Sequence, residues 1–360
     1  MGGSFHFAGD AYAAPTPTPE TLAESPTPEP APEPTPEPTP EPTPVAYTLS
    51  LIGDITPDSV PFYHGSPVSY QSVVGEDYDY VFAKTLQYFE GDDFTMANFE
   101  CVLSDYDVPA AKNFIFRAPP DYVNILTGGS VEFVTLGNNH VLDYGEQGYL
   151  DTKNTLDAAG VAYAGRDEHT IFTTDNGLKI GIYAASFGTV DQIESGIAAL
   201  KEEGAEFIIA ALHWGDEGSY DINADQTRQG HAAIDAGADI VYGSHPHTLQ
   251  PMEKYNGRYI FYSMGNWSFG GNTNPRDKDT CIAKITVQRD VDGTISMTGL
   301  EIIPCASSGV ENGNNYQPVP YEEGSEQYTR TLSKLDGSFT GANLTIGYEY
   351  GYEEYASSAD

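Results

Sequence analysis

The stretch Asp239-Ile240-Val241-Tyr242-Gly243-Ser244-His245-Pro246-His247 puts a β-branched, aromatic run directly before two histidines flanking a proline. The run reads as a buried strand, and the imidazoles sit at its carboxyl end. The same arrangement recurs on either side of it. Upstream, Ala211-Leu212-His213-Trp214-Gly215 closes an apolar run over 205–212, and Leu136-Gly137-Asn138-Asn139-His140 closes one over 131–136. Further back, Ala97-Asn98-Phe99-Glu100 ends the run 94–99, and Leu51-Ile52-Gly53-Asp54 ends the run that starts at Val45. Between the runs lie helical patterns at 77–90 (Val81, Phe82, Leu86 and Phe89 at helical spacing), 146–159 with Gly160 as its stop, 191–203 and 224–236. Strands over 178–185 and 259–264 complete the alternation. The runs 281–288 and 294–303 read as a hairpin turning near Asp292-Gly293. Strands alternating with helices predict a layered α/β fold, part of whose sheet is antiparallel.

In an α/β sheet, ligands gather beyond the carboxyl ends of the strands. The five ends carry carboxylate, carboxylate, amide plus imidazole, imidazole, and paired imidazoles. Divalent ions of hard or borderline character accept such mixed oxygen and nitrogen ligands, so the pattern predicts a shared metal site. Taken singly, each element has a plainer reading: Asp54 as a turn residue, Glu100 as a solvated carboxylate, Asn138-Asn139 as a turn or helix cap, and His213 as a hydrogen-bonded core histidine. It is their order, each after a β-run, that points to metal.

With 53 Asp+Glu against 16 Lys+Arg, the 360-residue chain has a formal charge of −37. Phosphate neutralisation needs clustered Lys and Arg, so no nucleic-acid partner is expected. No apolar run is long enough to form a transmembrane segment. Seven acids and no base fall in residues 1–44, so the acidity belongs mainly to residues 45–360. Thirteen of the 25 prolines lie between Pro15 and Pro44. Residues 15–44 therefore read as an extended, disordered Pro/Thr/Glu-rich spacer of roughly 3.1 Å per residue. Residues 1–14 read as a vector-derived start or a signal-peptide remnant, the small residues Ala11-Tyr12-Ala13-Ala14 lacking the usual charged and apolar regions before them. The export signal of a secreted or surface protein is thus expected outside this chain. Residues 45–336 read as the folded domain and 337–360 as an acidic, Tyr-rich tail. Cys281 and Cys305 flank the hairpin, and either a bridge or two buried thiols suits them.

The strings Asn138-Asn139-His140-Val141-Leu142-Asp143-Tyr144-Gly145, His213-Trp214-Gly215-Asp216-Glu217, Gly243-Ser244-His245-Pro246-His247 and Tyr262-Ser263-Met264-Gly265-Asn266-Trp267 resemble the CapA family of bacterial capsule and poly-γ-glutamate synthesis proteins. Asn98-Phe99-Glu100 and Phe116-Arg117-Ala118-Pro119-Pro120 belong to the same likeness, which covers about residues 46–270. That family is similar in turn to calcineurin-like metallophosphoesterases. The resemblance implies a four-layer α-β-β-α sandwich of two mixed β-sheets flanked by helices, with one or two divalent ions (manganese, zinc or iron) at one edge. It implies Asp54 and His247 on a first metal, Glu100 as the bridging carboxylate, and Asn139, His213 and His245 on a second. His140 stands where the phosphoesterases place a general acid or transition-state donor. Asp143 reads as its positioning partner, while Arg117 and Asn266 read as substrate-binding residues. Glu217 reads either as a further orienting carboxylate or as a solvent-facing one. Two departures are visible: Thr56 stands where the phosphoesterase pattern has histidine, and Glu100 where it has aspartate. The activity implied is metal-dependent hydrolysis of phosphoester or amide bonds, with an extracellular capsular or cell-wall polymer, or other capsule assembly proteins, as partners. The alternative is a non-catalytic accessory protein of polymer assembly or export. A −37 surface repels a polyanion, so binding one would fall to the metals or a local basic patch.

Overall fold

The computed structural model describes residues 43–344. The start at 1–14, the spacer predicted over 15–44 up to residue 42, and the tail predicted over 337–360 from residue 345 onward lie outside the described residues. In chain order the strands are β1 (Val45–Thr56), β2 (Phe94–Phe99), β3 (Val102–Leu103), β4 (Arg117–Ala118), β5 (Phe133–Thr135), β6 (Ala162–Ala164), β7 (Glu168–Thr173) and β8 (Lys179–Ser186). They continue as β9 (Phe207–His213), β10 (Ile240–Ser244), β11 (Met252–Tyr255), β12 (Arg258–Phe261), β13 (Asn266–Phe269), β14 (Asp279–Arg289), β15 (Ile295–Ala306) and β16 (Val319–Pro320). The helices are α1 (Tyr70–Val74), α2 (Asn124–Gly128), α3 (Gly145–Ala159), α4 (Val190–Glu202), α5 (Ala224–Ala236) and α6 (Glu326–Leu335).

Two mixed sheets result. The first runs β16-β15-β14-β1-β2-β5-β6, with β13 also paired to β1; the second runs β11-β12-β10-β9-β8-β7. β1, β2, β5 and β6 are parallel to one another, as are β8, β9, β10 and β12, while the 14–15 hairpin and the edge strands β7 and β11 run antiparallel. Side-chain alternation sorts the sheets into layers. On β9, Phe207, Ile209 and Ala211 enter a core shared with Leu49, Leu51, Phe94 and Met96 of the first sheet. Ile208, Ala210 and Leu212 face the other way, onto Ile193, Ile197 and Leu200 of α4 and Ala233 and Ile234 of α5. On β2, Ala97 and Phe99 likewise leave the shared core for an outer one that holds Ile125 and Leu126 of α2 and Tyr149 and Leu156 of α3. The molecule is therefore a four-layer α-β-β-α sandwich, and strands such as β9 are buried on both faces, which explains their unbroken apolar runs.

Local signals explain the helix ends. Gly160 and Gly237 adopt left-handed conformations (φ 76° and 118°) as C-caps, and Thr189 with Gln192 and Asn223 with Gln226 form capping boxes at α4 and α5. The helix predicted over 77–90 is not formed; two short 3-10 turns, Tyr78–Tyr80 and Leu86–Tyr88, take its place. Val81, Phe82 and Phe89 are nonetheless buried in the outer core. Tyrosines and Thr85 gain little from helix formation, and successive tight turns bury the same apolar positions. After residue 270 the chain continues the first sheet as β14, β15 and β16 and adds α6. Cys281 and Cys305 are free and buried. Cys281 is paired with Pro304, one residue off Cys305, so the two thiols point to opposite faces: Cys281 into the shared core, Cys305 into the outer one. A bridge is therefore excluded. Among the described residues no helix is long and apolar enough to cross a membrane.

Candidate metal centre

The parallel strands of both sheets end on one edge, and there the predicted residues meet. Asp54 belongs to the end of β1, where the pairing with β2 slips between Leu51 and Asp54 and that with β13 slips between Asp54 and Ile55. Such irregularities re-aim side chains. Gly53 makes room for this: a Cβ there would lie 2.1 Å from the Gly265 carbonyl oxygen, to which the Asp54 amide donates at 2.9 Å. Glu100 follows β2, His213 ends β9, and His245 and His247 follow β10. His245 and His247 adopt φ of 97° and 57°, conformations costing on the order of 1–3 kcal/mol each for non-glycine residues. That strain turns the chain so that both imidazoles reach one site.

Three overlapping groups of possible ligand atoms lie within 4.8 Å: Asp54–Glu100–His247, Glu100–His213–His245 and Glu217–His245–His247. Glu100 is shared by the first two and is completely buried. His213 Nε2 is 3.4 Å from Glu100 Oε1, and His247 Nδ1 is 3.3 Å from Asp54 Oδ2. The second nitrogen of His213 is held by Ser244 Oγ at 2.9 Å, leaving Nε2 toward Glu100 and 2.9 Å from Asn139 Oδ1. Asn139 thus reaches the group it is expected to join.

Whether these residues fit a cation is tested by their unsatisfied atoms. Asp54 Oδ2, both carboxylate oxygens of Glu100 and His245 Nδ1 are buried without a hydrogen-bond partner. Buried polar atoms are ordinarily paired, and an unpaired buried carboxylate is costly. Divalent ions in the two groups that share Glu100 would satisfy them, so the donor set fits. Protonation behaviour agrees. Burial pushes Glu100 well above the usual carboxylate range, with the Asp54 and Glu217 charges adding to the rise against the lowering effect of His247. Burial holds His213 well below its ordinary value and His245 down at about 3, keeping both neutral as ligation requires. Burial would lower His247 too, but the charges of Glu100 and Asp54 outweigh it and push it up to about 10. Without a cation, an imidazolium partly takes its place.

His140 Nδ1 is bound to Asp143 Oδ2 at 2.7 Å, and its Nε2 points toward the centre, 4.0 Å from Glu100 Oε1. Lys112 carries no signal in the sequence, yet it belongs to the centre. Its Nζ donates to the second Asp143 oxygen at 2.5 Å and to the Asn139 carbonyl at 2.8 Å. Asn98 and Asn138 act as organisers, a role their motifs do not announce. Asn98 donates to Asp54 Oδ1 at 2.9 Å, Asn138 donates to Asn98 Oδ1 at 3.0 Å, and the His140 amide donates to Asn138 Oδ1 at 3.1 Å. Three strand ends are locked together by that relay. Phe187 is exposed, with φ 50°, and packs edge-on against His245 at 4.9 Å between ring centroids. It borders a cavity of about 510 Å³ that also touches Trp214 and Arg228.

The two residues expected to bind substrate make contacts within the protein. The Arg117 guanidinium donates to the Tyr106 carbonyl and lies over the Tyr144 ring. Asn266 Oδ1 accepts from His247 Nδ1 at 2.9 Å, so it orients that imidazole. Trp267 is fully buried against Phe82 and Phe89 and belongs to the outer core.

The profile of a family described as bacterial capsule synthesis protein PGA_cap matches residues 48–270. The PGA biosynthesis protein CapA of Bacillus subtilis (strain 168) is 28% identical over 292 residues, covering 73% of this chain and 75% of that protein. The capsule biosynthesis protein CapA of Bacillus anthracis is 28% identical over 258 residues, 62% of each chain. Among solved structures, the Haemophilus influenzae NAD nucleotidase is similar with a TM-score of 0.41 and 13% identity, over 88% of this chain and 67% of that one.

Proposed function

The chain belongs to the family of bacterial capsule synthesis proteins, and from that premise we propose that it is a metal-dependent hydrolase of phosphoester or amide bonds in a cell-surface polymer. The observation that carries this reading is Glu100: a fully buried carboxylate, shared by two ligand groups, with neither oxygen hydrogen-bonded. Asp54, Glu100 and His247 would hold one divalent ion, and Glu100, His213 and His245, with the Asn139 amide oxygen, the other. Such ions supply Lewis acidity toward the oxygens of a phosphoryl or acyl group. Asp143 fixes a proton on His140 Nδ1 and so leaves Nε2 facing the centre, an acceptor in the neutral ring and a donor once the ring is protonated. Burial lowers His140 against the opposing pull of Asp143, so a proton that it carries is readily given up. Lys112 holds Asp143 in place. Asn266 and Ser244 aim the two imidazoles they bind. The extracellular placement rests on the Pro/Thr/Glu-rich stretch and on family membership.

A non-catalytic accessory role is favoured by one feature. Thr56, two residues after Asp54, offers no imidazole, and its hydroxyl is buried without a hydrogen-bond partner. Turnover separates the two readings. Purified protein loaded with Mn²⁺ or Zn²⁺ is expected to hydrolyse bis-p-nitrophenyl phosphate, and His140→Ala to lower kcat by about 10²-fold or more. Metal-loaded protein with no turnover on phosphoesters or on polymer amides would leave the accessory role.

A further inference from the structure

Glu217 belongs to a ligand group that neither cation position uses so far. It is one-third exposed, whereas Asp54 and Glu100 are fully buried. Its Oε1 lies 4.0 Å from His245 Nε2, and with His245 and His247 it forms a group within 4.8 Å. Those two histidines belong to different metal groups, so Glu217 spans the pair on the solvent side as Glu100 spans it from below. The loop that carries it is tied to the same segment as the histidines. The Gly218 amide donates to the Pro246 carbonyl at 2.8 Å, Thr248 Oγ1 to the Ser219 carbonyl at 2.9 Å, and Gln250 Nε2 to the same carbonyl at 3.0 Å. Gly215 and Gly218, at φ 84° and 74°, let the chain fold back between them. Asp216 on that loop instead faces Asn223, which donates to its Oδ2 at 3.1 Å. The second sign of a ligand is independent of the loop: both Glu100 oxygens and His245 Nδ1 are buried without a hydrogen-bond partner, and Glu100 and His245 share a ligand group.

We propose that Glu217 is a metal ligand, the solvent-side carboxylate joining the two cation positions, supplying a donor to the group in which Thr56 offers none. The proposal rests on the metal-binding reading of the centre. Two dications facing three carboxylates keep a net positive charge, which draws an anionic substrate to a chain of −37. The test is Mn²⁺ binding by titration calorimetry and elemental analysis on wild type, Glu217→Gln and Asp216→Asn. Wild type is expected to bind Mn²⁺ stoichiometrically. Glu217→Gln is expected to lose a full ion, or at least about tenfold in affinity at one position, while Asp216→Asn, which removes the same charge, binds as wild type does. Glu217→Gln binding within about twofold of a metal-binding wild type would overturn the ligand assignment and leave the metal centre intact. An equal loss in Asp216→Asn would also overturn it, since charge alone would then explain the effect. Wild type that takes up no Mn²⁺ would overturn the metal centre itself.

Discussion

Two buried clusters of charge lie in this molecule, and they are built on opposite terms. At the strand ends, Asp54 and Glu100 are fully buried with three oxygens unpaired. At the foot of α6, Asp277 and Asp279 are answered in full. Lys334 Nζ donates to both Asp277 oxygens and to Asp279 Oδ2 at 2.6–2.8 Å, and Arg330 grips Asp279 with two bonds of 2.7 Å. Tyr220 and Tyr321 hydroxyls donate to the same pair of carboxylates. Burial of charge is common to both, so it does not mark function. Incomplete satisfaction is what sets them apart: the α6 cluster closes its own electrostatics and staples a helix to β14, while the strand-end cluster keeps three carboxylate oxygens without a hydrogen bond, the donors a cation would use.

Glu100 provides the sharpest break. Glu100→Gln is expected to abolish stoichiometric divalent-metal binding, read by elemental analysis after desalting, yet to leave the metal-free protein as stable as wild type or more so, because burial already disfavours the charged carboxylate and the amide removes that cost. Retained metal in that variant would erase the contrast. Asp279→Ala should do the reverse. It leaves Lys334 and Arg330 without their shared partner and is expected to cost about 3–5 kcal/mol in denaturant unfolding, with metal stoichiometry unchanged.

Metal itself should stabilise only through the strand-end cluster. At about 100 times the dissociation constant the gain is about 2.7 kcal/mol, and a melting shift should vanish in Glu100→Gln while persisting in Asp279→Ala. The clusters should also answer pH in opposite directions. His247 is raised to about 10 and Glu100 is raised as well, so the native metal-free protein holds protons that the unfolded chain releases. The His247 contribution is full below its ordinary value of 6.5 and is lost as pH climbs through about 10; metal affinity rises over the same range, since the ion displaces those protons. Burial would raise Asp279, but Arg330 and Lys334 outweigh it and hold it below the carboxylate range. Its contribution is present above the ordinary value and is lost as pH falls below it. Unfolding in chelator from about pH 3 to about pH 10 checks both signs. The smallest effect belongs to Lys112→Met, which removes one charge-assisted bond to Asp143. Roughly tenfold in kcat on bis-p-nitrophenyl phosphate is expected, with metal content unchanged.

Much of the centre is legible in the sequence because a period-2 or fully apolar run stops where its side chains stop being core. Asp54, Glu100, His213, His245 and His247 each sit close to such a stop. Lys112 and Asn98 carry no comparable signal. Lys112 lies in an irregular segment and reaches Asp143 only through the fold, and Asn98 reads as one polar residue inside a strand. Arg117 shows the converse. Its motif reads as a substrate clamp, and only the fold shows that the guanidinium also meets the Tyr106 carbonyl and the Tyr144 ring. The 77–90 segment departs from its helical pattern because apolar positions at that spacing are also buried by consecutive tight turns.

The sequence by itself determined the strand-and-helix alternation, the placing of candidate metal-binding side chains at strand ends and the acidity of the domain, since each is a property of residues near one another in the chain. Only the tertiary structure decided which carboxylates are left unpaired. Glu100 and Asp279 are both buried acids at the end of a strand; one faces imidazoles brought from another sheet, the other a lysine and an arginine delivered by α6. Electrostatic partners are fixed by distances across the fold, and those distances are not written in local sequence.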